Sequence, residues 1–202
     1  MTIRHIGIDF DNTIVCYDDV FYKAALERNL IPVSVLPNKT SVRDFFRASQ
    51  REDEWTQLQG YIYGSRMDLA HPFPGIALFF AACQTHSIKI SIISHKTKHP
   101  FLGPPYDLHA AALQWLSSQS FFTPQIDIYF ELTLQDKLQR IAQARCDLFI
   151  DDLPELLNHP SFPSEVRKVL FDPINQHLPN ESWTTLSSWE QGLSILSLPQ
   201  KS

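Results

Sequence analysis

No apolar run in the 202 residues approaches the roughly 20 that a membrane-spanning helix requires. The N-terminus lacks the charged-then-apolar signature of a secretory leader, because its apolar stretch is short and ends in acids. Basic charge is in deficit as well: 17 Lys and Arg face 22 Asp and Glu, for a formal net charge of -5 and a pI near 5.9. Binding a phosphate backbone needs a basic surface, so a nucleic acid polymer is not expected as partner. Cysteine is scarce and odd in number. Cys16, Cys83 and Cys146 lie far apart, which fits buried free thiols of a reducing cytoplasm and neither a disulfide frame nor a zinc site. There is no internal repeat and no low-complexity tract.

What remains is an ordinary globular composition, 44% hydrophobic and 19% charged, long enough for one full core with a small accessory module. Its organising stretch is Ile6-Gly7-Ile8-Asp9-Phe10-Asp11-Asn12-Thr13-Ile14. An apolar run with Ile3, Ile6 and Ile8 ends abruptly in two carboxylates, then a hydroxyl, then Ile14-Val15. A buried strand entering a polar turn has this pattern, and α/β sheets place ligands beyond the carboxyl ends of such strands. Two acids there repel each other unless a cation or a chemical task requires them. An acidic turn bonding its own backbone is the plainer reading of the stretch taken alone.

Residues 16–71 differ in character. A helix is expected over 20–28, then a Pro-punctuated connection, then a second helix capped by Thr40 or Ser41 that carries Phe45 and Phe46 and, further on, Trp55 and Leu58. Nothing there reads as a central strand, so the segment is a helical insertion between the first two strands. His71-Pro72-Phe73-Pro74-Gly75 closes it. A helix over 76–83 and a strand over 88–94 follow, ending in Ser94 and a basic loop from His95 to His99. Helical spacing recurs from Asp107 to Leu116, a strand is expected over 126–130, a helix over 134–144, and a strand over 147–150 that runs into Asp151-Asp152. Arg167 to Phe171 makes a fifth strand, and a helix near Trp189 to Leu196 has no evident role. Alternating strands and helices mean a doubly wound parallel α/β sheet, with 1–15 and 72–202 as its Rossmann-like core and 16–71 as a small helical cap.

Three strand ends therefore carry chemistry: Asp9/Asp11, Ser94 and Asp151/Asp152, with Lys137 on the helix before the fourth strand. In this order the segments IDFDNT, ISIIS, the Lys of LQDKLQ, and DLFIDD resemble the four motifs of the haloacid dehalogenase-like (HAD) superfamily of hydrolases. The resemblance runs from Ile3 to about Glu155, and the insertion is similar to the small helical cap of one group of that superfamily. It implies a Mg2+-dependent phosphatase acting on a small phosphomonoester. Asp9 is then the nucleophile that forms an aspartyl-phosphate, and Asp11 the general acid and base. Ser94, Lys137 and the backbone at Phe10 would hold the phosphoryl group. The metal would lie on Asp9, the backbone carbonyl of Asp11, and Asp151, with Asp152 behind it. Asp11 favours phosphoryl transfer over dehalogenation, which needs no such proton donor. A nucleotidase, a phosphotransferase and a weakly active phospholigand-binding domain stay open as alternatives.

Each residue has a plainer rival. Ser94 is a turn hydroxyl, Lys137 beside Asp136 a solvated helix face, and Asp152 before Leu153-Pro154 an N-cap. His95, His99 and His109 invite a zinc reading that Lys96 and Lys98 disfavour. Trp55, Tyr61 and Tyr63 read as a small core. Arg43, Arg47 and Arg51, if on one helix, form a basic stripe that either selects a second anionic group of the substrate, together with the Lys96/Lys98 loop, or is a solvated ion-pair face.

Overall fold

The computed structural model describes residues 3–196. The first strand is β1 (His5–Ile8), followed by β2 (Val15–Cys16), α1 (Asp18–Glu27), α2 (Lys39–Ala48), α3 (Glu52–Ser65) and β3 (His71–Pro72). Then come α4 (Ile76–Thr85), β4 (Lys89–His95), α5 (Leu108–Ser117), β5 (Asp127–Glu131) and α6 (Leu134–Ala144). The chain continues through β6 (Leu148–Asp151), α7 (Pro154–Leu157), β7 (Arg167–Phe171), β8 (Thr184–Leu186) and α8 (Trp189–Leu196). Six strands form one parallel sheet in the order β5-β4-β1-β6-β7-β8, while β2 and β3 pair separately. The strand order reverses at β1: the chain first builds outward through β4 and β5, then returns to the other side with β6. The crevice at such a reversal is where α/β sheets bind ligands.

After the half-buried His5, β1 is apolar, as a strand in the middle of a parallel sheet requires. Ile6 and Ile8 are fully buried, and Ile8 is level with Ile92 on β4 and Ile150 on β6. Gly7 between them is a packing requirement: a Cβ there would stand 2.5 Å from Phe149 Cδ2 and 2.9 Å from Cys146 Sγ. One face of β6 and β7 buries Phe149, Leu170, Leu138, Ile141, Phe162 and Val166 in a common cluster. The short strand β8, absent from the sequence reading, extends the sheet beyond β7.

The last helix has a clear role. Trp189 is completely buried, stacks on Phe171 at 5.3 Å, meets Phe79 at 4.9 Å, and donates its indole N–H to the Thr13 carbonyl at 3.1 Å. Gly192 lets α8 lie against Phe79, where a Cβ would come within 3.1 Å. Residues 197–202, the remainder of the C-terminal segment, lie outside the described residues.

Cys16–His71 and Lys96–Gln119 together form a second compact unit. This corrects the expectation that everything after residue 71 belongs to the sheet domain. α5 is apolar because it packs on α3: Pro100 and Tyr106 occupy the space that Gly60 and Gly64 leave open, and Trp115 Nε1 donates to Ala70 O at 3.1 Å. Trp55 is buried against Phe21 and Phe46, and Tyr63 packs on Tyr17 and Phe21, so these aromatics form this unit's core, while Tyr61 lies under Arg28.

Two local expectations fail here for identifiable reasons. The second helix is capped by Asn38, whose side chain accepts from Ser41 N at 2.8 Å, and so it begins before Thr40. It ends at Ala48, because Gln50 adopts a left-handed φ of 56° that no helix continues through. Arg51 therefore precedes α3 and does not extend a stripe with Arg43 and Arg47. All three guanidiniums are paired, Arg43 with Asp44, Arg47 with Glu52 and Arg51 with Glu54. The arginines make a neutralised ion-pair surface.

Gly7→Ala should lower stability by about 1–3 kcal/mol through overpacking at Phe149 and Cys146. At about 2–4 °C per kcal/mol for a chain of this size, thermal unfolding reads that directly. An unchanged midpoint would show that β1 and β6 part without cost.

Candidate active site

β1 and β6 remain paired up to their acids: Asp9 N donates to Ile150 O at 2.9 Å, and Asp151 is the last residue of β6. Two carboxylates are thereby set side by side at the carboxyl edge of the sheet. α6 supplies the counter-charge. Thr133 caps it by accepting from Asp136 N at 3.1 Å, which fixes the first turn and aims Lys137 inward. Lys137 Nζ donates to Asp9 Oδ1 and to Asp151 Oδ2, at 2.6 Å in each case. None of the three side chains is more than 6% exposed. The reading of Lys137 as a solvated helix face is therefore wrong.

After Asp9 the chain turns sharply. Phe10 O accepts from Ile14 N at 3.0 Å and Val15 N at 3.1 Å, and Asn12 takes a left-handed φ of 59°. Asparagine tolerates that conformation better than most residues. The Phe10 ring is buried edge-on to Phe130, with centroids 5.7 Å apart, so the backbone of the turn stays at the strand end. Asp11, half-buried, bridges to Val15. Ser94 is buried near the end of β4, two residues beyond the Ile92 that pairs with Ile8, and is level with Phe130 on β5. Trp189, anchored on Thr13 O, holds the far side of this turn. Its signal in the sequence was only a large indole in a short amphipathic segment, whose buried N–H needs an acceptor.

Asp151 and Asp152 separate in role. Asp151 Oδ1 also accepts from Leu153 N at 2.9 Å, which turns the chain into α7. Asp152 is not the N-cap expected of it: Leu153 holds that position and no side-chain cap forms. Asp152 instead faces Thr13, whose hydroxyl lies 3.5 Å from its Oδ1.

The charge balance is uneven, two carboxylates against one ammonium. Burial raises the pKa of Asp9 to about 7; Lys137 opposes the rise, and Asp151 adds to it. Burial disfavours the Lys137 ammonium, but Asp151 and Asp9 together outweigh it and push its pKa above the ordinary value. A hard divalent cation suits this donor set, which is all oxygen, carries surplus negative charge, and is already bridged by one small cation. Among the described residues no group of three or more His, Cys, Asp and Glu side chains is placed for a metal, so a backbone carbonyl or a substrate oxygen would have to complete the ligands.

Other nominated groups lie elsewhere. His95 contacts Leu132 O, His99 contacts Tyr106 O and His109 contacts Lys96 O, so each imidazole is spent on a backbone carbonyl. Burial raises the thiols of Cys83 and Cys146 to about 12 and that of the half-buried Cys16 to about 11, which removes them as nucleophiles at neutral pH. A groove of about 650 Å³ beside Phe80, Ile88, Lys89 and Phe121 is at the opposite, N-terminal edge of β4 and β5 and holds no carboxylate.

No family model matches the sequence, and no curated protein is similar to it. Solved structures do match across almost the whole chain. A HAD-family hydrolase from Deinococcus radiodurans R1, solved with bound phosphate and sodium, superposes with a TM-score of 0.59 at 9% identity, covering 96% of this chain and 95% of its own. A predicted phosphatase from Clostridium acetobutylicum gives 0.58 at 12%, covering 98% and 100%. A HAD-superfamily hydrolase of subfamily IA from Geobacter sulfurreducens PCA gives 0.57 at 15%, covering 96% of each. The chain has the haloacid dehalogenase-like fold. Among the described residues no helix is long and apolar enough to cross a membrane.

The Asp9 shift fixes a sign. Between about pH 4 and about pH 7 the folded, metal-free chain keeps a proton on Asp9 that the unfolded chain has lost. Stability therefore falls as pH rises through that window. Asp9→Asn removes this dependence and leaves a balanced Lys137–Asp151 pair. In chelator, the wild-type melting midpoint should drop more between about pH 5 and about pH 8 than that of Asp9→Asn. Equal drops would place the surplus charge elsewhere.

Proposed function

We propose that this HAD-like protein is a magnesium-dependent phosphatase that hydrolyses a small phosphomonoester through an aspartyl-phosphate on Asp9. One observation carries the reading: a buried lysine bridges two carboxylates at the carboxyl ends of adjacent parallel strands. Such a cluster is costly to bury and is kept where its charge serves chemistry. The fold it shares with a predicted phosphatase and with a phosphate-bound HAD-family hydrolase supports the same assignment.

Asp9 attacks phosphorus in line and displaces the ester oxygen. Lys137 orients Asp9 and balances negative charge as the transition state forms. Asp11, two residues on and on the partly exposed turn, gives its proton to the leaving oxygen and then takes one from the water that cleaves the acyl phosphate. Ser94 and the backbone N–H groups of Phe10 and Asp11 hold the phosphoryl oxygens. Asp9, Asp151 and the Asp11 carbonyl would hold the metal, with Asp152 and Thr13 behind them. Magnesium supplies charge neutralisation that lets an anionic nucleophile approach an anionic substrate.

Asp9→Asn should abolish turnover of phosphomonoesters, and Asp11→Asn should lower it by roughly 10²–10⁴-fold while phosphate analogues still bind. Asp151→Ala should raise the magnesium concentration for half-maximal rate far more than Asp152→Ala. A fully active Asp9→Asn enzyme would sink the nucleophile assignment, and equal small effects at 151 and 152 would sink the metal assignment.

A further inference from the structure

The peptide unit between Thr13 and Ile14 is gripped at both ends. Its carbonyl accepts the Trp189 indole N–H at 3.1 Å, and its N–H donates to Phe10 O at 3.0 Å. The next peptide unit repeats the pattern. Ile14 O accepts from Phe73 N at 2.9 Å, and Val15 N donates to Phe10 O at 3.1 Å. In a planar trans peptide the C=O and N–H point in opposite directions, so each unit passes a hydrogen bond straight through. Two such relays converge on one acceptor, the Phe10 carbonyl. One starts at an indole near the C-terminus, the other at the amide of Phe73.

The two starting points share a support. The Phe171 ring stacks on Trp189 at 5.3 Å and meets Phe73 edge-on at 4.9 Å. Trp189 and Thr13 are both fully buried, so water does not stand in for the indole as donor. A phenylalanine at 189 would fill the space between Phe79 and Phe171 but leave the Thr13 carbonyl short of a partner.

The Phe10 carbonyl lies in the same planar unit as the Asp11 N–H. Donors placed on that oxygen fix the plane, and with it the direction of the N–H. Hydrogen bonds in series also polarise one another and strengthen the last donor. We propose that Trp189 is a positioning residue for phosphoryl transfer, aiming and polarising the Asp11 N–H through Thr13, Ile14 and Phe10. This role rests on the phosphatase reading, which gives that N–H to a phosphoryl oxygen.

Two measurements on the full chain test it. With para-nitrophenyl phosphate and magnesium, Trp189→Phe should lower kcat about 3- to 10-fold, the worth of one hydrogen bond, and leave KM unchanged. The split arises because charge that develops on the phosphoryl oxygens gains most from an aimed donor. Phe171→Leu, which loosens the shared support with the indole N–H intact, should act in the same direction and serves where Trp189→Phe does not fold. Gly192→Ala, which crowds α8 against Phe79 and keeps the indole, should lower the melting midpoint and leave kcat unchanged. Amide hydrogen exchange reads the brace without turnover. In Trp189→Phe the Ile14 amide should exchange faster relative to that of Val15, whose relay starts at Phe73. A wild-type kcat in the folded variants, a change confined to KM, a Gly192→Ala kcat that falls in step with its midpoint, or an unaltered Ile14-to-Val15 exchange ratio would overturn the role. An inert wild-type protein would refute the phosphatase reading instead, and the exchange ratio would then decide the brace by itself.

Discussion

The structure depends on one ammonium shared by two buried carboxylates. Lys137 touches Asp9 and Asp151 at 2.6 Å each, and all three side chains are buried. Removing the lysine would leave two like charges out of water at adjacent strand ends, an arrangement that typically costs several kcal/mol. Much of the surrounding architecture serves this contact. The parallel register makes the strand ends coincide, Gly7 allows β1 and β6 to approach, and the Thr133 cap starts α6 where its first turns can reach the sheet edge.

The site was legible because its residues occupy positions that a parallel sheet fixes by arithmetic. Ile6, Ile8, Ile92 and Leu148 to Ile150 are apolar up to the residue where the polar group appears, so the strand ends and the chemistry share one signal. Lys137 was placed on its helix, but its burial was not legible: Asp136 beside it looks solvated, and only the α6–sheet packing turns the lysine inward. Local rules misled at Asp152, where Pro154 suggested a cap. The acid before it, Asp151, already uses its free oxygen to turn the chain, and Asp152 is left to Thr13.

Elements that carry few residues or long-range partners were harder. β8 has three residues, two of them exposed, and its pairing depends on β7, more than a dozen positions earlier. Helical periodicity showed α5 as amphipathic without saying what its apolar face meets; Tyr106 filling the gap at Gly64 settles that, and no local pattern contains it. The arginines illustrate the same limit in charge. Arg43, Arg47 and Arg51 are evenly spaced in sequence, yet one left-handed residue at Gln50 redirects the third, and nearby acids cancel all three.

The bond from Trp189 to the Thr13 carbonyl spans 176 positions. The turn that bears Asp9 and Asp11 is therefore synthesised long before the helix that supports it. All the residues between Thr13 and Trp189 must be present before the turn is fully braced, so this bracing is a long-range event in folding, of the kind that high contact order makes slow. A nascent chain thus carries its acids through that whole interval without the indole that braces their turn.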